Sequence, residues 1–227
     1  MNDSSPRDGL KRMPIHASQN ITLKARDLCK AYEGRVVFHR LSFEWTGPGM
    51  VCVNGPNGSG KSTLLSLLGG ADEPDRGDIF VQGADLVSER DDALSRLSYI
   101  PDGCPVYPFI TGVEWLEFVR AARRPASWNA PAIAQAFGLH PYLDTRFGAM
   151  SLGTARKFML AAGLGSPAPV VVLDEPTNGL DAASLGVLRG QLRARAASGL
   201  VVLCCHDVQE QHALGARCVD LLGLEAK

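Results

Sequence analysis

No stretch of this sequence approaches the roughly 18 to 20 consecutive apolar residues that cross a bilayer, which excludes a membrane-spanning helix. The first 20 residues, MNDSSPRDGLKRMPIHASQN, lack the apolar core of a secretory signal and read as a flexible leader, residues 1–20. No C-x-x-C pair occurs among the six cysteines (Cys29, Cys52, Cys104, Cys204, Cys205 and Cys218), so a zinc site or a disulfide framework has no support in their spacing. Several lie in apolar runs, as in VCV and VVLCC, which fits free, buried thiols in a reducing compartment. There is also no excess of either charge. Lys and Arg number 23 against 24 Asp and Glu, for a net charge of −1, which gives no electrostatic case for nucleic acid as a partner. Internal repeats and low-complexity tracts are absent. What is left is an ordinary globular balance, 45% hydrophobic and 21% charged over 227 residues, enough for one generous domain or two small lobes in the cytosol.

The N-terminal third carries β-like bursts. ITLKARDL, RVVFHRLSFEW and MVCVN are separated by Gly34 and by Gly47-Pro48-Gly49. A glycine-rich break follows the third burst, and Lys61 to Leu68 restarts as a helix. In the middle, Thr111-Gly112-Val113-Glu114 has capping-box spacing ahead of Trp115, Leu116, Phe118 and Val119. A second helical stretch covers Ala130 to Phe137. Val170 to Leu173 and Leu200 to Leu203 are continuous apolar runs suited to a parallel sheet buried on both faces. The Leu185, Leu188 and Leu192 stripe places a helix between them, completing a βαβ unit.

Two motifs carry chemistry. In Gly55-Pro56-Asn57-Gly58-Ser59-Gly60-Lys61-Ser62-Thr63, glycines let backbone N–H groups turn toward phosphates, with a helix N-terminus behind them. Lys61 can reach the β- and γ-phosphates, and the Ser62 hydroxyl can ligate magnesium. In VVLDE, Asp174 ends a buried strand and points into the crevice where α/β sheets bind ligands, suited to Mg2+. Glu175, one residue on, can orient and deprotonate the attacking water. Three further residues fit two roles each. Ser151 opens the helix LGTARKFMLAAGL as an N-cap or as an anion site. His206, just past the apolar run Leu200 to Leu203, is a structural histidine or a crevice group. Tyr32 is a packing aromatic or a base-stacking one.

Together, GPNGSGKST, MSLGTARK, VVVLDEPTNGLD and the histidine of CCHD occur in the order found in the ATP-binding cassette (ABC) family, and the chain resembles that family over nearly all of Ile21 to Leu222. The resemblance implies an α/β fold with a P-loop NTPase core. It implies a mixed, largely parallel β-sheet, an N-terminal antiparallel β region and a helical lobe inserted at about 111–165, all in one domain over 21–227. By position, Tyr32 resembles the adenine-stacking aromatic, Asn57 through Thr63 the phosphate cradle and Glu175 the catalytic base. His206 resembles the switch histidine at the γ-phosphate. Ser151 and Gly153 would clamp ATP held by a partner subunit, and Asp181 lies in the loop linking the two subunits.

The resemblance further implies ATP and Mg2+ as ligands, a second nucleotide-binding subunit in a homo- or heterodimer, and an integral membrane permease as partner. The chain would sit in the cytoplasm against the inner face of the cell membrane. Two departures stand out. The signature reads Met-Ser-Leu-Gly-Thr where Leu-Ser-Gly-Gly-Gln is common, and Asp102 replaces the usual glutamine. Asp102 is expected to act through magnesium or its water shell and to signal to the helical lobe. The segment PDGCPVYPFITGVEWLEF is similar to cassettes of exporters with separate membrane subunits, and the short tail after His206 leans the same way. The rival readings are a cassette ATPase acting on the ribosome or DNA, which usually carries paired cassettes or basic stretches, and a regulator without hydrolysis, which intact Glu175 and His206 oppose.

Overall fold

The computed structural model describes residues 21–224, so the expected leader at 1–20 lies outside the described residues. Strands β1 (Ile21–Tyr32) and β2 (Arg35–Gly47) pair antiparallel through a two-residue turn. Both turn residues, Glu33 and Gly34, have positive φ (46° and 83°), the hairpin geometry whose twist matches the strands it joins. That turn leaves Tyr32 at the end of β1, paired with Arg35. β4 (Arg76–Val81) and β5 (Ala84–Asp85) complete a four-stranded antiparallel sheet in the order β2-β1-β4-β5.

A second sheet is wholly parallel, in the order β6-β7-β8-β3-β9, built from β3 (Gly49–Asn54), β6 (Leu97–Ile100), β7 (Val170–Asp174), β8 (Leu200–Cys204) and β9 (Arg217–Asp220). The expected mixture of strand directions is thus divided between two sheets. Every residue of β7 and β8 is buried, and successive residues go to opposite sides. Val171, Leu173, Val201 and Leu203 pack toward the helical region, while Val170, Val172, Leu200 and Val202 pack toward the antiparallel sheet. A side chain of this kind contributes about 1.5–3 kcal/mol when fully buried. The strand ends are therefore fixed in place by both cores.

The helices are α1 (Lys61–Leu68), α2 (Arg90–Ser95), α3 (Gly112–Arg123), α4 (Ala130–Ala136), α5 (Leu152–Leu164), α6 (Ala182–Ala196), α7 (Val208–Leu214) and α8 (Leu221–Leu224). Thr111 opens α3 with the capping box read from sequence: its N–H donates to Glu114 Oε2 at 2.8 Å, and its hydroxyl accepts from Glu114 N at 3.3 Å. Helices α3, α4 and α5 fall in chain order between the hydrogen-bonded neighbours β6 and β7, and Phe147 N–H closes their base by donating to Ile110 O. α5 belongs to both halves. Phe158 packs on Phe147 of the helical region, and further along the helix Gly163 O accepts from Ser98 of β6 at 2.9 Å. In α6, Leu188 and Leu192 are buried and Leu185 is partly so.

Candidate nucleotide site

Three hydrogen-bonded parallel neighbours, β7, β8 and β3, send their C-terminal ends to one edge of the sheet. Asp174 ends β7, and Glu175, His206 and the glycine loop follow the three strand ends, which places them all at one edge of the sheet. The loop is held open by its backbone. Gly55, Gly58 and Gly60 have φ of 154°, 75° and 98°, and a Cβ on Gly60 would stand 2.6 Å from Val37 Cγ1. Helix α1 begins at Gly60 with no side-chain cap, leaving first-turn N–H groups for a ligand. Ser59 Oγ is buried without a partner. Lys61 is buried, and its ammonium donates to Gly55 O at 2.8 Å and Pro56 O at 3.0 Å. These features fit a polyphosphate: open N–H groups, an unpaired hydroxyl and a cation held only by carbonyls that an anion can replace.

A cavity of about 810 Å3 lies over the loop, walled by Asn57 through Thr63, the β1–β2 hairpin and His206. That volume is within the usual range for a small-molecule site. Tyr32 lines it and is 45% exposed. The phenol donates to Asp72, and the Lys30 ammonium sits 4.9 Å from the ring centroid while donating to Asp72 Oδ1 at 2.8 Å. The Asp72 hydrogen bond raises the Tyr32 phenol above its ordinary pKa and so keeps it a donor. The ring is therefore oriented before any ligand arrives.

Alternation along β7 directs Asp174 to the loop side, as it does Val170 and Val172. Asp174 pairs in register with Cys204, whose thiol donates to Asp174 Oδ1 at 2.8 Å and lies 3.4 Å from Glu175 Oε1. Burial, and then the bond to Asp174, push the Cys204 thiol up, which keeps it protonated as a donor. Glu175 is buried and has φ of 45°, unusual for a residue with a side chain. Its Oε1 is 3.0 Å from His206 Nε2, and its Oε2 accepts from His206 N–H at 3.3 Å. The structure thus brings Tyr32, the glycine loop and His206 around one cavity, and joins Glu175 to that wall through His206.

Ser151, Gly153 and Asp181 lie elsewhere, outside the residues lining the cavity. Ser151 Oγ accepts from Thr154 N at 3.1 Å, capping α5. Gly153 fits tightly against the loop before α6, where a Cβ would meet Gly179 O at 2.7 Å. Asp181 caps α6 through Ser184 N at 2.8 Å and pairs with Lys157 at 2.8 Å; Lys157 and Ser184 hold its carboxyl well below the usual carboxylate range. Asp102 was expected at magnesium. Its carboxylate accepts from Asn178 Nδ2 at 3.1 Å and lies 3.4 Å from the Arg156 guanidinium, both through Oδ1. Two residues near the acids went unread in the sequence: Cys204, and Arg156, which is buried beside both acidic residues.

Among the described residues no three His, Cys, Asp or Glu side chains form a ready metal cage. Ser62, which is exposed, and the buried Asp174 carboxylate offer oxygen donors of the kind Mg2+ takes, with phosphate or water usually filling the rest of its shell.

The family model described as ABC transporter matches residues 38–178, more than half of the chain. The chain belongs to the ABC transporter family. A relative from Pseudomonas putida, "Cytochrome c biogenesis ATP-binding export protein CcmA", is 33% identical over 88% of this chain and 96% of its own length. Another of the same name, from Paramagnetospirillum magneticum, is 36% identical over 82% of this chain and 88% of its own length. Among solved structures, an ATP-binding subunit of an ABC transporter matches with a TM-score of 0.79 at 24% identity, covering 90% of this chain and 95% of its own. A dimeric post-hydrolysis state of an ATP-binding cassette bound to ADP and Pi matches with a TM-score of 0.77 at 22% identity, covering 88% and 94%. These two likenesses establish the ABC fold. No helix among the described residues is long and apolar enough to cross a membrane.

Proposed function

We propose that this ABC-family chain hydrolyses Mg-ATP in the cavity over its glycine loop and drives export through a separate integral membrane permease. The carrying observation is the buried Glu175 carboxylate, which reaches the cavity wall through His206. Adenine stacks on Tyr32, and the triphosphate occupies the loop. Lys61 exchanges its bonds to Gly55 and Pro56 for phosphate oxygens, and Ser59 Oγ gains a partner. Ser62 and Asp174 would hold Mg2+, which would supply positive charge opposite the phosphates. Glu175 accepts the proton of the attacking water, and His206 orients the Glu175 carboxylate at the γ-phosphate end of the cavity. Ser151, Gly153 and Asp181 act in a dimer, at the nucleotide held by a second nucleotide-binding subunit. The complex sits on the cytoplasmic face of the membrane. The export direction rests on the named function of the CcmA relatives.

Glu175→Gln tests the assignment. It keeps shape and removes basicity, so ATP turnover should fall by roughly 100- to 10,000-fold. Nucleotide affinity should survive, because the loop contacts are untouched. Near-parental turnover in the purified variant would remove Glu175 as the base.

A further inference from the structure

Arg156 is the one charged residue on the buried side of α5, amid Ala155, Phe158, Met159 and Leu160, and its side chain is only 3% exposed. A guanidinium in such a place needs partners, and it has four main-chain ones. Nη1 donates to Pro101 O at 3.0 Å and to Asp102 O. Nη2 donates to Asp174 O at 2.8 Å and Glu175 O at 2.7 Å. The Asp102 carboxylate, 3.4 Å away, supplies the facing negative charge. Nε has no partner, so these contacts alone set the planar group's position.

Glu175 is where this matters. Its φ of 45° lies in the left-handed region, which is uncommon and mildly costly for a residue with a side chain. The bonds at Asp174 O and Glu175 O grip the peptide on either side of that strained α-carbon. Released, the residue would turn toward ordinary backbone angles, and the carboxylate would leave His206. Arg156 also stands five residues along the helix that Ser151 caps, next to Lys157, which is tied to Asp181.

We propose that Arg156 is a positioning residue for hydrolysis, holding the strained backbone of Glu175 and the Asp102 loop to α5 so that the base stays on its line to the cavity. The proposal rests on Glu175 being the base. It makes the Asp102 carboxylate a counter-charge for Arg156.

The test uses the full-length protein and steady-state ATP turnover, with nucleotide affinity and thermal melting measured alongside. Arg156→Ala should lower kcat on the order of 100-fold, the scale of a misplaced catalytic group, with KM for ATP within about twofold. Millimolar guanidinium chloride should restore at least about a tenth of parental turnover to that variant, and equal sodium chloride should not; a loss of fold alone would not be repaired this way. Arg156→Lys covers the case in which the alanine variant fails to fold. One ammonium cannot span both carbonyl pairs, so this variant should melt near the parent yet lose about tenfold or more in kcat. Glu175→Gln combined with either variant should turn over no slower than Glu175→Gln alone, since both changes disable one group. A folded Arg156→Lys or Arg156→Ala with kcat within threefold of the parent overturns the proposal, as does a fully multiplicative double variant. If Glu175→Gln itself keeps parental turnover, the base assignment falls and takes the positioning role with it.

Discussion

Helices α1 and α5 both begin after a glycine-containing segment, and they are finished in opposite ways. α1 starts at Gly60 with no side-chain cap, a buried unpaired Ser59 hydroxyl beside it and Lys61 folded back on carbonyls. α5 starts at Ser151, whose hydroxyl already serves Thr154 N, and the next residue, Leu152, is 71% exposed. The first N-terminus is incomplete until an anion arrives. The second satisfies itself and presents an apolar side chain outward. Under the proposed function, α1 serves the chain's own nucleotide and α5 faces another subunit, where the Ser151 hydroxyl would keep accepting from Thr154 N while donating to a phosphate oxygen.

Substitutions on each side should break this contrast differently. The largest effect is at the α1 cavity. Tyr32→Ala should weaken ATP binding by about 1 to 3 kcal/mol, the scale of base–aromatic stacking. Tyr32→Phe should keep most of the affinity while losing the bond to Asp72. Isothermal titration with ATP checks both, and equal affinity for Tyr32→Ala and the parent would remove the ring from the site. Next comes the α5 cap. Ser151→Ala should destabilise the nucleotide-free chain by about 0.5–2 kcal/mol, the usual value of an N-cap, which thermal melting reads directly. ATP affinity of the monomer should not move. A weakened monomer affinity would mean that α5 serves its own chain's nucleotide.

The smallest effect expected on metal dependence is at Asp102. Its carboxylate faces Arg156 and Asn178, so Asp102→Ala should leave the magnesium concentration for half-maximal turnover unchanged. A magnesium titration of ATP turnover on both proteins decides. A raised midpoint would return Asp102 to the metal, where its place in the sequence had put it.

The glycine loop was readable because its chemistry and its spelling coincide: glycines for backbone freedom, a lysine and a hydroxyl at fixed offsets. β7 and β8 were readable because strands buried on both faces have no polar residue to interrupt them. The Thr111 cap was readable because a capping box is a local contact. β6, β9 and the β4–β5 pair were not read. β5, β6 and β9 have four residues or fewer, β4 buries only Ile79 and Val81, and β9, spelled RCVD, is an edge strand with exposed residues that owes its pairing to β3 rather than to its own pattern. Cys204 and Arg156 escaped for a different reason. Their roles depend on partners 30 and 18 residues distant, and neither side chain announces a site by type. A signal did exist for Arg156, a charge inside a helix otherwise apolar on nearly every side.

The shared-site claim is tested most directly by mixing two inactive chains, Ser151→Arg and Lys61→Ala. Each alone should be unable to hydrolyse ATP, Ser151→Arg still binding nucleotide and Lys61→Ala binding it poorly. In a mixed dimer one site carries both defects and the other carries neither. The account expects ATP turnover to return on mixing, in proportion to the mixed dimer formed. Mixtures shown by mass to contain mixed dimers, yet with no recovered turnover, would contradict it.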